Sequence, residues 1–292
     1  MKIKESPSRK VFNVFNILLM LVIAVICVYP FLYVVFASFS DASQFFKHNG
    51  LLLHPLGFSL DAYKAIFKNS EILRGYANTL FIVVAGTSLN ILLTALGAYF
   101  LSRKDVLLKK PIMIMILLTM YISGGLIPSY LNVRSLGLYQ SFLALILPGA
   151  ISTTNLIIMR SAFLAVPENL VDAARIDGAG HFTILFRIIM PLCKATVAVL
   201  VLYYGLAHWN NWFGPMIYLQ GAPEKYPLQL ILRNMLIDNQ MLDSASGGSD
   251  QFLLFETMKY AVIVVSTVPM LIFYPFIQKY FDKGVMIGSV KG

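Results

Sequence analysis

The chain has 292 residues, of which 58% are hydrophobic, and a mean hydropathy of +0.74. Charged residues make up only 13%, about half the share usual in a soluble domain, which excludes a soluble enzyme or binding module and indicates an integral membrane protein. In so apolar a chain the net charge of +9 belongs to basic residues at the cytoplasmic membrane surface, and no nucleic-acid partner is expected.

Six continuous apolar stretches of spanning length follow one another, at about residues 11–38, 79–101, 111–130, 141–163, 192–214 and 260–281. None alternates polar with apolar, which argues for an all-α membrane protein and against transmembrane strands. The first stretch follows Lys2, Lys4, Arg9 and Lys10. It is too long for a signal peptide and carries no small-x-small cleavage site, so a retained first span is expected after a short cytoplasmic N-terminus, residues 1–10. A long segment, about 40–78, comes next, with turn chemistry at Pro55 and Gly57. The basic run Ser102–Lys110 joins the second and third stretches, and residues around Asn132–Gly137 join the third and fourth. The fourth and fifth are joined by a polar segment, about 164–191. The fifth and sixth are joined by a long segment, about 215–258, that holds Gly221, Pro223 and the run Ser244–Ser249.

Most of the 23 Lys and Arg fall on the side of the N-terminus, among them Arg103, Lys104, Lys109, Lys110, Arg175 and Lys194. Both termini and the 164–191 segment are therefore expected in the cytoplasm, with 40–78 and 215–258 outside. Cys27 and Cys193 sit in or beside apolar stretches, where a disulfide is not expected. The four His are scattered and show no metal-ligand spacing.

The cytoplasmic segment carries the most specific pattern. Pro167 suits a first helical position, and Glu168 places negative charge near the positive end of the helix dipole. Asp172 continues the acidic side; Ala173 and Ala174 are small and allow another surface close approach. Asp177-Gly178 reads as a stop, because glycine tolerates a left-handed backbone. A second helical piece is expected from Phe182 to Met190, ending at Pro191.

The spacing here resembles a known signature. Asp172-Ala173-Ala174 is followed by three residues, Gly178, nine residues, and Ile188-Ile189-Met190-Pro191. It is similar to the Glu-Ala-Ala, Gly, Ile-x-Leu-Pro loop of the permease subunits of binding-protein-dependent ABC importers. The chain departs from that loop at Asp172, where Glu is usual, and at Met190, where Leu is usual. Ile176-Asp177-Gly178-Ala179, Asn78, Leu147-Pro148, the Trp209-Asn-Asn-Trp212 run and the tail from Gln278 to Gly292 resemble the carbohydrate-importing, MalG-like branch. The tail looks like the subgroup handling complex oligosaccharides.

The resemblance implies a type I ABC importer permease fold for residues 11–292. It implies a coupling loop in which Glu168, Asp172, Ala173, Ala174, Asp177, Gly178, Ile188 and Pro191 face an ATPase. The implied partners are a second homologous permease subunit, two ATPase subunits, an extracytoplasmic solute-binding protein and a sugar or oligosaccharide, all at a prokaryotic cell membrane and in contact with lipid. ATP and Mg would sit on the ATPase subunits, with no cofactor on this chain, which lacks a Gly-x-x-x-x-Gly-Lys-Ser/Thr loop.

A sugar pathway needs hydrogen-bonding groups and flat aromatic faces. Candidate residues within the spans are Asn90, Tyr121, Thr154, Asn155, Tyr204, His208, Trp209, Asn210, Asn211 and Trp212. Trp209 and Trp212 also suit an aromatic belt at the outer face, and Asn155 suits backbone satisfaction around a break at Pro148. Three other function classes are weighed. An ion-coupled secondary transporter, driven by protons or sodium, is the first: proton coupling would place acidic groups within spans, and no Asp or Glu falls in the six stretches, which counts less against sodium. A membrane-embedded enzyme would need convergent catalytic groups, and no HExxH or Gly-x-Ser-x-Gly appears. An ABC permease for amino acids or anions would favour cations in the pathway, so a neutral sugar is the expectation.

Overall fold

The computed structural model describes residues 7–243, 257–272 and 275. The Ser244–Ser249 run, the far end of the sixth stretch and the tail from Gln278 lie outside the described residues. Among those described, every regular element is helical, and the one extended pairing is an isolated antiparallel bridge between Ser40 and Phe58.

Two helices are long and apolar enough to cross a bilayer alone: α1, Pro7–Ser38, and, after the short α2 (Ala42–Lys47) and α3 (Asp61–Lys68), α4, Ser70–Ser102. At 32 and 33 residues they run about 48–50 Å, well beyond the ~30 Å hydrocarbon core. α4 begins nine residues before the expected stretch because Ser70–Asn78, though more polar, contains no proline and is packed at Ile72 and Gly75.

The third and fourth expected spans are each broken. Residues 109–135 form α5, Lys109–Leu118, and α6, Leu126–Ser135. Thr119 Oγ1 donates to the Ile116 carbonyl at 2.6 Å, competing with the helical ladder, and Gly124-Gly125 completes the break. The fourth stretch gives α7, Leu143–Ile146, and α8, Thr153–Leu164. Between them lies Pro148, which supplies no N–H, and Ser152, which caps α8.

The polar segment 164–191 folds as α9, Glu168–Ile176, then α10, His181–Thr183, a π-helical stretch Ile184–Ile189, and α11, Met190–Leu192. Pro167 is the N-cap rather than the first helical residue, with φ −56° and ψ 130°. The π-helical stretch leads into Pro191, whose missing N–H removes the α-type bond to Arg187. Cys193 breaks the chain again, and α12, Lys194–Trp209, leaves at 89° to His181–Leu192. α13 (Phe213–Tyr218), α14 (Leu228–Asp243) and the apolar α15 (Thr257–Ile272) follow.

The chain divides into two compact units, Met1–Asn69 with Asn234–Thr267, and Ser70–Arg233 with Val268–Gly292. In the first, Phe39 stacks on Phe58 and Tyr63, while Tyr260 meets Tyr33 and Phe45 edge-on. Ser38 and Tyr63 share a 2.8 Å hydrogen bond that ties α3 to the end of α1. In the second, α4 packs along α8 and α12. Ala95 and Ala98 on α4 admit Leu156, Met159 and Phe163 of α8, and Val171, Ala174, Ile184, Leu185 and Ile189 extend that core beneath the 164–191 segment. Small residues at such contacts let helix backbones approach, which is what binds helices where lipid is as apolar as leucine.

Candidate functional site

Local chemistry sets both ends of α9. Glu168 opens the helix, and Val171 and Ala174 turn inward onto the core while Asp172, Ala173, Arg175 and Ile176 stay exposed. At the far end Gly178 adopts φ +80°. Its N–H donates to the Arg175 carbonyl at 3.0 Å, and that of Ala179 donates to Ala174 at 2.9 Å. This pair of bonds is a Schellman stop, which a glycine at the left-handed position makes unstrained. No atom lies within 4 Å of where a Gly178 side chain would begin, so backbone conformation alone demands glycine there. The helix therefore ends sharply at Asp177 and presents Ile176, 87% exposed, and Phe182, 70% exposed, on an open surface. Ile188 is half-buried against the core and Pro191 is exposed at the elbow.

The loop after α4 holds this segment. Lys104 pairs with Glu168, and Asp105 accepts from Arg175 Nη2 at 3.2 Å. The Glu168 carboxylate beside Lys104 holds its ammonium above the usual lysine range. Asp172 is 4.0 Å from Arg175 Nη1 on its own helix. Tyr99 Oη and His181 Nδ1 are 3.0 Å apart, and Arg103 lies over the Tyr99 ring. None of Lys104, Asp105, Tyr99 or His181 stood out in the sequence. The alternation of charge between Lys104-Asp105 and Glu168…Arg175 was the available signal. These exposed pairs steer more than they stabilise.

The polar residues singled out within the spans separate into two groups. Asn90, Tyr204 and Trp209 are buried, at 1%, 4% and 3% exposure, and Asn90 and Tyr204 spend their polar groups internally. Asn90 Nδ2 donates to the carbonyls of Gly149 and Ala150 at 3.0 and 2.8 Å, satisfying backbone freed by the Pro148 break. Its Oδ1 faces His208 Nε2 at 2.8 Å. Because the amide spends its donors on carbonyls, its oxygen must accept, so His208 carries its proton on Nε2. Tyr204 Oη shares a hydrogen bond with Thr94 at 2.7 Å and accepts from the Ser152 N–H at 3.0 Å. Trp209 packs against Tyr76, and Asn155 is buried at the start of α8. The second group is open: Tyr121 at 85% exposure, with Thr154, Asn210 and Trp212 also exposed and Asn211 half-buried. Tyr121 lies in the α5–α6 break.

Residues 82–287 match the family described as the binding-protein-dependent transport system inner membrane component. The chain belongs to this family. The match takes in both the polar cluster and the α9 segment of the permease. Among its relatives is the polygalacturonan/rhamnogalacturonan transport system permease protein YtcP of Bacillus subtilis (strain 168), 41% identical over 268 residues, 91% of this chain and 93% of that protein. Protein LplC of the same organism is 38% identical over 285 residues, 97% and 96% of the two chains. A solved structure of a bacterial ABC transporter involved in the import of the acidic polysaccharide alginate superposes with a TM-score of 0.87. It is 31% identical and covers 96% of this permease and 100% of its own chain. The resemblance to importer permeases noted in the sequence is thus borne out, and the chain is a membrane component of a transport system. An ion-coupled secondary transporter is set aside by the same finding. Among the described residues no group of three or more His, Cys, Asp or Glu is placed to hold a metal.

Proposed function

We propose that this chain is one of two permease subunits of an ABC importer that takes up an oligosaccharide delivered by an extracytoplasmic binding protein. The observation that carries the reading is α9. It is a short helix with a Schellman stop, anchored by Lys104 and Asp105, that offers exposed apolar and acidic residues on one open surface. Such a surface suits docking by a separate ATPase. ATP and Mg would act there, and this chain would hydrolyse nothing. Six spans with both termini in the cytoplasm follow from the charge asymmetry and the apolar stretches. The coupling loop is then about 164–191, and the extracytoplasmic loops are about 40–78 and 215–258. Glu168, Asp172, Ala173, Ala174, Asp177, Gly178, Ile188 and Pro191 belong to the coupling loop. Relatives named for polygalacturonan, rhamnogalacturonan and alginate support a polysaccharide-derived substrate and widen the expectation from a neutral to an acidic sugar. Within the pathway, the buried Asn90, Tyr204 and Trp209 and the half-buried His208 act as structural struts. Sugar contact falls to the open residues, chiefly Asn210, Asn211 and Trp212.

The test is reconstitution of the chain with its second permease, ATPases and binding protein in proteoliposomes. ATP-dependent uptake of a labelled oligosaccharide should require this chain and the binding protein. Uptake independent of either would overturn the reading.

A further inference from the structure

The α12–α13 turn brings an aromatic ring and a cation together. The Arg233 guanidinium of α14 lies over the Trp212 ring, 4.7 Å from its centroid. Trp212 keeps 40% of its surface exposed and meets Phe213 edge-on, while Arg233 is half-buried. Among the described residues no carboxylate lies within ion-pair distance of Arg233. The elements that hold the pair are fixed from both sides. α14 starts where the Leu228 N–H donates to Thr79 Oγ1 at 2.9 Å, and its Ile231 packs where a Gly75 side chain would stand. The turn after α12 is pinned by Trp209 against Tyr76 and by the Gly214 N–H donating to Asn211 Oδ1 at 3.1 Å.

A half-buried guanidinium on an indole face has its ring side satisfied and its planar fork of N–H donors left for a ligand. That fork matches a carboxylate, which it binds through two parallel hydrogen bonds. The exposed indole edge and the neighbouring Asn210 supply the flat apolar face and the amide that a sugar ring takes. We propose that Arg233, held on Trp212, is the group by which this subunit recognises the carboxylate of a uronate-containing oligosaccharide at the extracytoplasmic mouth of the pathway. The inference rests on the oligosaccharide-importer reading and adds to it a charge class and a residue.

The test measures binding of trigalacturonate and of its fully methyl-esterified form to the complete permease–ATPase complex in nanodiscs, without the binding protein. Both ligands share one backbone and differ in charge. The wild-type complex should bind the acid about tenfold more tightly than the ester. Arg233→Gln should bring the two affinities to parity, Arg233→Lys should keep part of the difference, and Trp212→Leu, which leaves the cation but removes its platform, should reduce it. An undiminished preference for the acid in either Arg233→Gln or Trp212→Leu overturns the inference, as does a wild-type complex that prefers neither ligand or binds neither. Those outcomes leave the proteoliposome uptake result standing, so the two readings fail separately. An Arg233 that serves only as an interfacial anchor would change complex stability without changing the acid-to-ester ratio.

Discussion

His208 donates from Nε2 to the Asn90 amide oxygen at 2.8 Å, and the same amide spends its two N–H bonds on the Gly149 and Ala150 carbonyls. One side chain on α4 thereby ties α12 to the broken segment between α7 and α8. The contact is close because Gly86 carries no side chain: a Cβ there would sit 2.5 Å from His208 Nε2. A proline break in a span frees carbonyls that hydrocarbon cannot satisfy, and Asn90 is what satisfies two of them.

Asn90→Ala strands those two carbonyls and the His208 donor at once. We expect the purified complex to lose about 1 kcal/mol of stability, the lower end of the cost of unpaired polar groups, because Gly149 is exposed and Ala150 and His208 are only half-buried. A thermal or denaturant unfolding midpoint equal to wild type would show that the three bonds contribute nothing net.

Tyr204→Phe keeps the ring and removes only the hydroxyl that joins Thr94 to the Ser152 N–H. The expected loss is about 1–2 kcal/mol, and Thr94→Val in the same background should add little because the partner is already gone. Additive losses in this double-mutant cycle would mean the two groups act independently.

Gly178→Val places a β-branched residue at φ +80°, a strain of about 1–3 kcal/mol. The surroundings are empty, so the effect is on how α9 ends and not on packing. Gly178→Asn, which tolerates the left-handed backbone, should recover most of what Val loses. The measurement is ATPase subunit recovery with the permease, together with solute transported per ATP hydrolysed. Val and Asn behaving alike would remove the backbone explanation.

Asp41 caps α2, accepting from the Ser43 hydroxyl and from the Ser43 and Gln44 N–H groups. The Ser43 hydroxyl first, then the Gln44 N–H, hold its carboxyl below the usual aspartate value of 3.8. A depressed carboxylate contributes stability that is present above the unfolded value and lost as pH falls through the folded one. Hydrogen-exchange protection of α2 should therefore be level down to about pH 4–5 and decline below it. Asp41→Asn should be flat across that range; a decline that persists in Asn would assign the effect to another group.

Both ends of α9 were legible from sequence because proline, acidic first-turn residues and glycine act locally. Its anchors were not, because Lys104 and Asp105 reach Glu168 and Arg175 only after α4 and α8 have packed. The break at Thr119–Gly125 was masked by an apolar run that read as continuous, although the paired glycines marked it, whereas Pro148 pointed to the break at Leu147–Ser152. The polar residues of the spans were easy to find, but their fates were not. Asn90 finds its partners 59, 60 and 118 positions away, and no periodicity in one segment reveals a contact at that range. Arg233 falls within the 215–258 segment and carried no signal of its own, since its Trp212 platform lies on a different element.

The elbow at Cys193 turns α9 to α12 into a crank. The arm beyond it, α12, has 16 residues and so a length of about 24 Å, and a swing of about ten degrees about Cys193 displaces its far end by about 4 Å. That far end is Trp209, with the Asn210–Trp212 turn immediately beyond. If α9 is the docking surface proposed above, a small displacement imposed on it would be magnified where Arg233 and Trp212 meet, and a ligand seated on that pair would feel it first.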